Sequence, residues 1–255
     1  MLVSAMNISE GRRSSVLEAV RSAAGGTLLD EHHDPFHHRS VVTVAGEEAV
    51  RAITVEAVAR IDLRRHSGVH PRLGAVDVVP FVPYGESTME EARTARDAYV
   101  AWAGTELALP ALVYDEGART LPDLRRRARF ELLPHPTAGA VCVGARAALV
   151  AFNVWLATDD LAVGRAVASA VRSSSVRALG LPVGDRVQVS MNLLDPLRFG
   201  PADAYDAVAA YAAVAGAELV GLVPEAVLLT ITRDRWKELD LADGRTVEAR
   251  LRGVG

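Results

Sequence analysis

TLLDEHHDPFHHRSVVTVAG, residues 27–46, sets two strand-like runs back to back with no helix between them. TLLD (27–30) and SVVTVAG (40–46) are rich in the branched side chains that suit a pleated surface, and a His-rich loop with turn formers joins them. Upstream, residues 2–6 are a short apolar run. After SEGRRSS, Val16, Leu17, Ala19, Val20, Ala23 and Ala24 recur at helical spacing up to Gly25-Gly26. Downstream, residues 48–60 read as an Ala/Val helix and AVDVVPFV (75–82) as a buried strand. The order is βαββαβ, the ferredoxin-like split βαβ pattern, with helices expected on one face of the sheet.

The pattern continues with a helix from Thr88 to about Leu107, acidic in its first turn, and a strand at ALVY (111–114). An Arg-rich segment then runs to His135. From Ala147 the alternation resumes: a strand to Leu156, a helix over 160–179 ending at Gly180, a strand at VQVSMNLL (187–194), an Ala-rich helix over 203–215 and a strand at ELVGLVP (218–224). The second half resembles a smaller version of the first in element order, without sequence repetition. The boundary is expected near Ala145, giving units 1–145 and 146–255.

At 255 residues the chain exceeds a typical single domain, yet it has no Pro- or Ser-rich linker, so two docked α/β (α+β) subdomains are expected. Half of the residues are apolar and only 5% are aromatic, so the core is Ala, Val and Leu. A single cysteine, Cys142, excludes an internal disulfide and a structural zinc site. No apolar run reaches the roughly 18 residues of a membrane span, and the N-terminus has its charges after its apolar stretch, the wrong order for a signal peptide. A cytoplasmic setting follows. The net charge of −4 argues against a nucleic-acid partner, although Arg125, Arg126, Arg127 and Arg129 make a local basic run suited to a small anion.

All seven histidines fall between His32 and His135, in HHDPFHH (32–38), RRHSGVHPRLGAVDV (64–78) and HPTAGA (135–140). Histidine accepts and returns protons near neutral pH, which points to one proton-handling site for a bound small molecule. His66 and His70 share a segment in which Ser67, Gly68 and Pro71 forbid a helix, so both belong to a loop entering the strand at 75. The flanking Arg64, Arg65 and Arg72 suit a carboxylate beside a proton carrier. HHDPFHH also contains possible metal ligands, but adjacent residues on extended chain point to opposite faces, and no metal is expected.

The run HSGVHPRLGAVDVVPFVP (66–83) closely resembles a long motif of the formiminotransferases, which move a formimino group from N-formimino-L-glutamate to tetrahydrofolate. NISEGR (7–12), HHRSVVTVAG (37–46), HPTAGAVCVGAR (135–146), LVAFNVWL (149–156), QVSMNLLD (188–195) and ELVGLVP (218–224) resemble further segments of that family in the same order. Nearly the whole chain is covered, and no segment resembles the cyclodeaminase module that some members carry. The resemblance implies two subdomains with mixed sheets, a substrate groove between them, a homodimer, and tetrahydrofolate as co-substrate.

It further implies that His70 is the catalytic base, with His66 supporting the loop or a substrate carboxylate. Asp34, His37, His38, Arg39, His66, Arg72 and Asp77 would line the substrate pocket, Asp34 for the cationic amidine and Arg39 for the glutamate carboxylates. His135, Pro136, Thr137, Ala138, Gly139 and Ala140 would form the folate loop, with the arginines upstream receiving the folate's glutamate tail. Two departures stand out: His38 replaces the family's usual Asn, and the stretch between Arg129 and Pro134 is shorter than usual. A related folate-dependent one-carbon transferase with a different donor, and a non-catalytic folate-binding protein, are the alternatives. Asn7, Glu10, Asn153 and Asn192 would either line the groove or cap backbone at strand ends, and none is assigned to the site.

Overall fold

The computed structural model describes residues 1–115, 124, 126 and 133–254. By their internal contacts these form two units, Met1–Ala147 and Ala148–Gly255.

The first unit begins with β1 (Leu2–Ile8), α1 (Ser14–Ala24), β2 (Leu28–Asp34), β3 (Arg39–Ala45), α2 (Glu47–Arg60) and β4 (Val76–Pro83). It continues with α3 (Met89–Leu107), β5 (Ala111–Asp115) and β6 (Val141–Ala145). The sheet order is β2-β3-β1-β4-β6-β5. Its first four strands are the ferredoxin-like arrangement and pair antiparallel, while β6 and β5 extend it in parallel from β4. The first sheet is therefore mixed.

Each helix has a local cause. In α1, Val16, Val20 and Ala24 recur every fourth residue and are all buried, and Gly25 ends the helix with φ +55°. In α3, Thr88 accepts from the amide of Glu91 while the Glu91 carboxylate accepts from the amide of Thr88, a capping box. These helices bury Val16, Val20, Ile53, Ala57, Ala95 and Tyr99 against Met6, Ile8, Val42, Val44, Val79 and Phe81 of the sheet.

The second unit runs β7 (Val150–Leu156), α4 (Leu161–Val171), β8 (Val176–Val183), β9 (Arg186–Leu193), α5 (Pro201–Ala209) and β10 (Val214–Val220), with short helices α6 (Glu225–Leu228) and α7 (Val247–Leu251) after it. Its sheet order, β10-β7-β9-β8, repeats that of β4-β1-β3-β2, and all its pairings are antiparallel. Val167, Ala168, Ala204 and Val208 of the helices pack with Val150, Phe152, Val154, Val189 and Met191 in a separate core.

Four expectations are corrected. The helix expected over 160–179 stops at Val171, and residues 176–183 form β8. Ser173, Ser174 and Ser175 interrupt the helix, and the apolar residues beyond them pair residue by residue with β9. The Ala-rich helix ends at Ala209 and not at 215, because residues 214–220 pair with β7; β10 thus begins four residues before the strand expected at 218. VCVGA (141–145), given no strand, is β6, and it is buried throughout, so its pattern carries no alternation. The His-rich stretch begins on strand, since β2 extends through His32, His33 and Asp34 before the turn.

Candidate active site

The site forms where β1 ends. Because β1 runs antiparallel to both neighbours, Ile8 lies opposite Ser40 of β3 and Val76 of β4. Asn7 and Glu10, the β2–β3 turn and the loop before β4 are thereby brought to one edge. Asp34 shapes the turn: its Oδ1 accepts from the amides of Phe36 and His37, both at 2.7 Å. His38 follows with φ +51°, a left-handed conformation in which Asn and His are several-fold enriched.

The loop from Leu63 to Ala75 is fastened at both ends. The amide of Ser9 donates to the carbonyl of Ala75 at 2.8 Å, and the hydroxyl of Ser9 to that of Gly74 at 2.7 Å. The turn at 135–140 holds the other side. Leu63 donates to the carbonyl of Thr137, Ala75 to that of Ala138, and Ala140 to that of Leu73. Gly74 and Gly139 form the crossing point. A Cβ at Gly74 would lie 2.1 Å from the carbonyl oxygen of Ala140, so only glycine fits.

Arg72 joins the two His-bearing loops. Its Nη2 donates to the carbonyls of His37 (3.0 Å) and His70 (2.9 Å), and its Nη1 donates to the carbonyl of His38 (3.2 Å) and lies 2.7 Å from Nδ1 of His66. Gly68 permits this closeness, since a Cβ there would meet the carbonyl oxygen of His37 at 2.4 Å. Asp77, fully enclosed at the start of β4, accepts from the amide of Leu73 at 2.6 Å and from Nη1 of Arg39 at 2.8 Å. Arg39 also donates from Nε to Oδ1 of Asn7 at 2.9 Å.

His70 is half-buried beside this group. Its Nδ1 lies 2.9 Å from the carbonyl of Pro71, which can only accept, and 3.4 Å from Nη1 of Arg39. Because that carbonyl can only accept, a neutral ring making the shorter contact carries its proton on Nδ1 and leaves on Nε2 the lone pair that a general base needs. The ring of His37 is 5.9 Å away, centre to centre, and its Nδ1 is 3.6 Å from the Asp34 carboxylate.

A second cluster adjoins it. The buried Glu10 carboxylate accepts at Oε1 from the amides of Gly11, Arg12 and Arg13, at 2.9 to 3.0 Å, and at Oε2 from Nε of Arg13. Burial alone would raise its pKa, but these bonds and that from His38 together bring it down to about 2. The rings of His38 and His66 stack at 3.8 Å. Burial first, then the charges of Arg72 and His38, push the pKa of His66 down to about 4, so it is neutral at neutral pH.

His135 serves its own turn: its Nδ1 accepts from the amides of Thr137 (3.3 Å) and Ala138 (3.0 Å). The side chains of Ala138 and Ala140 are buried, Thr137 and Gly139 are half-buried, and Pro136 is exposed. Of the basic run, Arg126 is exposed, and Arg125, Arg127 and Arg129 lie outside the described residues, as do residues 130–132 of the shortened stretch. Asn153 donates to Glu218 at 3.0 Å in the second unit. Among the described residues, no three His, Cys, Asp or Glu side chains come together as metal ligands would, and no helix is long and apolar enough to cross a membrane.

The structure thus brings Asp34, His37, His38, Arg39, His66, His70, Arg72 and Asp77 to one edge of one sheet, with the 135–140 turn stitched to it. The sequence did not assign Glu10 or Asn7 to this group; the signal was SEGR directly after a strand, a carboxylate preceding the donors of a helix N-terminus. Fold and site define an α/β protein of two ferredoxin-like units, one bearing a histidine and arginine site suited to proton transfer on an anionic small molecule. Residues 1–146 match the formiminotransferase domain, N-terminal subdomain. The chain is 32% identical to the glutamate formimidoyltransferase of Streptococcus pyogenes serotype M1, over 88% of this chain and 89% of that protein. It is 33% identical to that of Thermoplasma acidophilum, over 96% and 95%. With the formimidoyltransferase-cyclodeaminase of Sus scrofa it shares 34% identity over 88% of this chain and half of the longer protein. The chain belongs to the formiminotransferase family.

Proposed function

We propose that the protein is a transferase that moves the formimino group of N-formimino-L-glutamate to N5 of tetrahydrofolate, with His70 as the proton carrier. The observation that carries this reading is the His70 ring, set by the Pro71 carbonyl at 2.9 Å so that Nε2 holds the lone pair. The N5 amine attacks the amidine carbon and forms a tetrahedral adduct. Nε2 takes the proton from N5 and returns it to the departing nitrogen, and the C–N bond to glutamate breaks, leaving 5-formimino-tetrahydrofolate and glutamate.

The remaining roles follow from charge. Arg39, kept in place by Asp77 and Asn7, offers its cation to a donor carboxylate, and Asp34 offers an anion to the amidine. His66, neutral at neutral pH, adds no charge to the pocket. The 135–140 turn is the folate side, where backbone and small side chains allow a flat ring to approach. Tetrahydrofolate is a co-substrate, the two units 1–145 and 146–255 act together, and the enzyme works as a cytoplasmic homodimer.

The test is incubation with tetrahydrofolate and N-formimino-L-glutamate, followed by mass spectrometry of the folate product. Appearance of the formimino adduct with stoichiometric release of glutamate supports the reading. Folate binding without any adduct overturns it.

A further inference from the structure

Both ring nitrogens of His38 are turned into the protein. Nδ1 lies 2.9 Å from the carbonyl oxygen of Ser67, and Nε2 lies 2.9 Å from Oε1 of Glu10. A carbonyl and an ionised carboxylate can only accept, so both bonds form together when the ring carries both protons. Among the described residues, the groups facing the ring are the Glu10 carboxylate and the Ser67 carbonyl at its edges and the neutral His66 ring against its face, with the Arg72 guanidinium at its backbone carbonyl.

This geometry gives His38 two ends. One reaches the fixed corner after β1, where Glu10 also holds the amides of Gly11, Arg12 and Arg13 just ahead of α1; the other reaches the loop that carries His70, three residues beyond Ser67. Arg72 binds the same two loops from the other side through the carbonyls of His37, His38 and His70.

We infer that His38 is a positioning residue, whose imidazole ties the 66–70 loop to Glu10 and so sets the place of His70. The inference rests on the reading of His70 as the proton carrier. It departs from a donor contact at this position, since the polar atoms of the ring are committed within the protein. It also accounts for the asparagine that the family resemblance implies at this position. The Nδ2 of an asparagine stands two bonds from Cβ, as Nδ1 of histidine does, and tolerates the left-handed backbone; it can keep the bond to Ser67 but does not reach Glu10.

The experiment compares His38→Gly, which deletes the ring at a backbone suited to glycine, with His38→Asn. Steady-state kinetics for donor and folate are joined to ¹⁵N NMR of the histidine rings. In His38→Gly, kcat should fall roughly 10- to 100-fold, the scale of a small misplacement of a reacting group, with both KM values within about twofold. The His70 ring should lose its single Nδ1-protonated tautomer. His38→Asn should recover most of kcat and the His70 signal. A raised donor KM at unchanged kcat in His38→Gly would make the ring a substrate contact and overturn the inference. An unaltered His70 spectrum, or equal loss in both variants, would overturn it too. If the wild type transfers no formimino group, the proposed reaction fails, and the NMR comparison alone still decides whether His38 tethers the loop.

Discussion

Asp77 and Arg39 meet at 2.8 Å with the carboxylate wholly enclosed, and Arg39 in turn lies against His70. A buried ion that loses its partner is costly. Asp77→Ala should destabilise the first unit by about 3–5 kcal/mol, read from urea unfolding, because it removes the anion from the Arg39 cation and the acceptor from the Leu73 amide together. Asp77→Asn keeps an acceptor for Leu73 and should lose clearly less. Equal losses would mean that the lost charge accounts for the whole effect and the acceptor for Leu73 for none of it.

His70→Ala should lower turnover roughly 10²- to 10⁴-fold while folate affinity stays near the wild-type value, since a general base acts in the chemical step. Pre-steady-state mixing separates the two quantities. His66→Ala should be milder, and full activity in His70→Ala would remove it from the mechanism.

Arg72→Lys should behave nearly as badly as Arg72→Ala. One ammonium cannot span the carbonyls of His37, His38 and His70, which the planar guanidinium reaches from two nitrogens. Amide hydrogen exchange at residues 37–38 and 66–70 should quicken in both loops at once. Faster exchange in one loop alone would show that Arg72 does not couple them.

Stability should decline with acid in two successive windows. The pKa of His66 is lowered in the fold from 6.5 to about 4, chiefly by burial, so the unfolded chain takes up that proton first. Its contribution is complete above about pH 6.5 and is lost as pH falls toward 4. Glu10, which burial would raise but which hydrogen bonds bring from 4.5 to about 2, contributes fully above pH 4.5 and loses that contribution toward pH 2. Each is worth at most about 3 kcal/mol at 1.36 kcal/mol per unit. Urea midpoints measured between pH 8 and 3 should show His66→Gln flattening the upper window only.

Activity should persist in EDTA, and elemental analysis of the purified protein should find no stoichiometric transition metal. The histidines of 32–38 are divided among different partners: His33 is beside Glu31, His37 beside Asp34, and His38 between Glu10 and Ser67. A zinc ion lost together with activity would reverse this.

Legibility followed locality. The first βαββαβ and the loop carrying His66 and His70 were readable, because alternating strands, helical spacing and a Ser-Gly-Pro loop are short-range signals. β8 was hidden because its apolar residues suit helical spacing as well, and only pairing with β9 separates the two. β6 was hidden because VCVGA is buried throughout. In the site, residue types were readable but partners were not. Arg72 and Asp77 have the chemistry of substrate contacts, yet their bonds to residues 37, 38 and 39 bridge more than thirty positions of chain.

The strand order β4-β6-β5 also bears on how the chain is made. During synthesis, residues 111–115 emerge before residues 141–145, yet among the described residues β5 has no sheet neighbour except β6. The four ferredoxin-like strands can pair while β5 waits at the ribosome exit. The turn that pins Leu73 and Ala75, at 135–140, arrives only just ahead of β6. The loop bearing His70 would therefore be secured among the last events in the first unit, and a chain arrested near residue 130 would hold most of a sheet with His70 still untethered on that side.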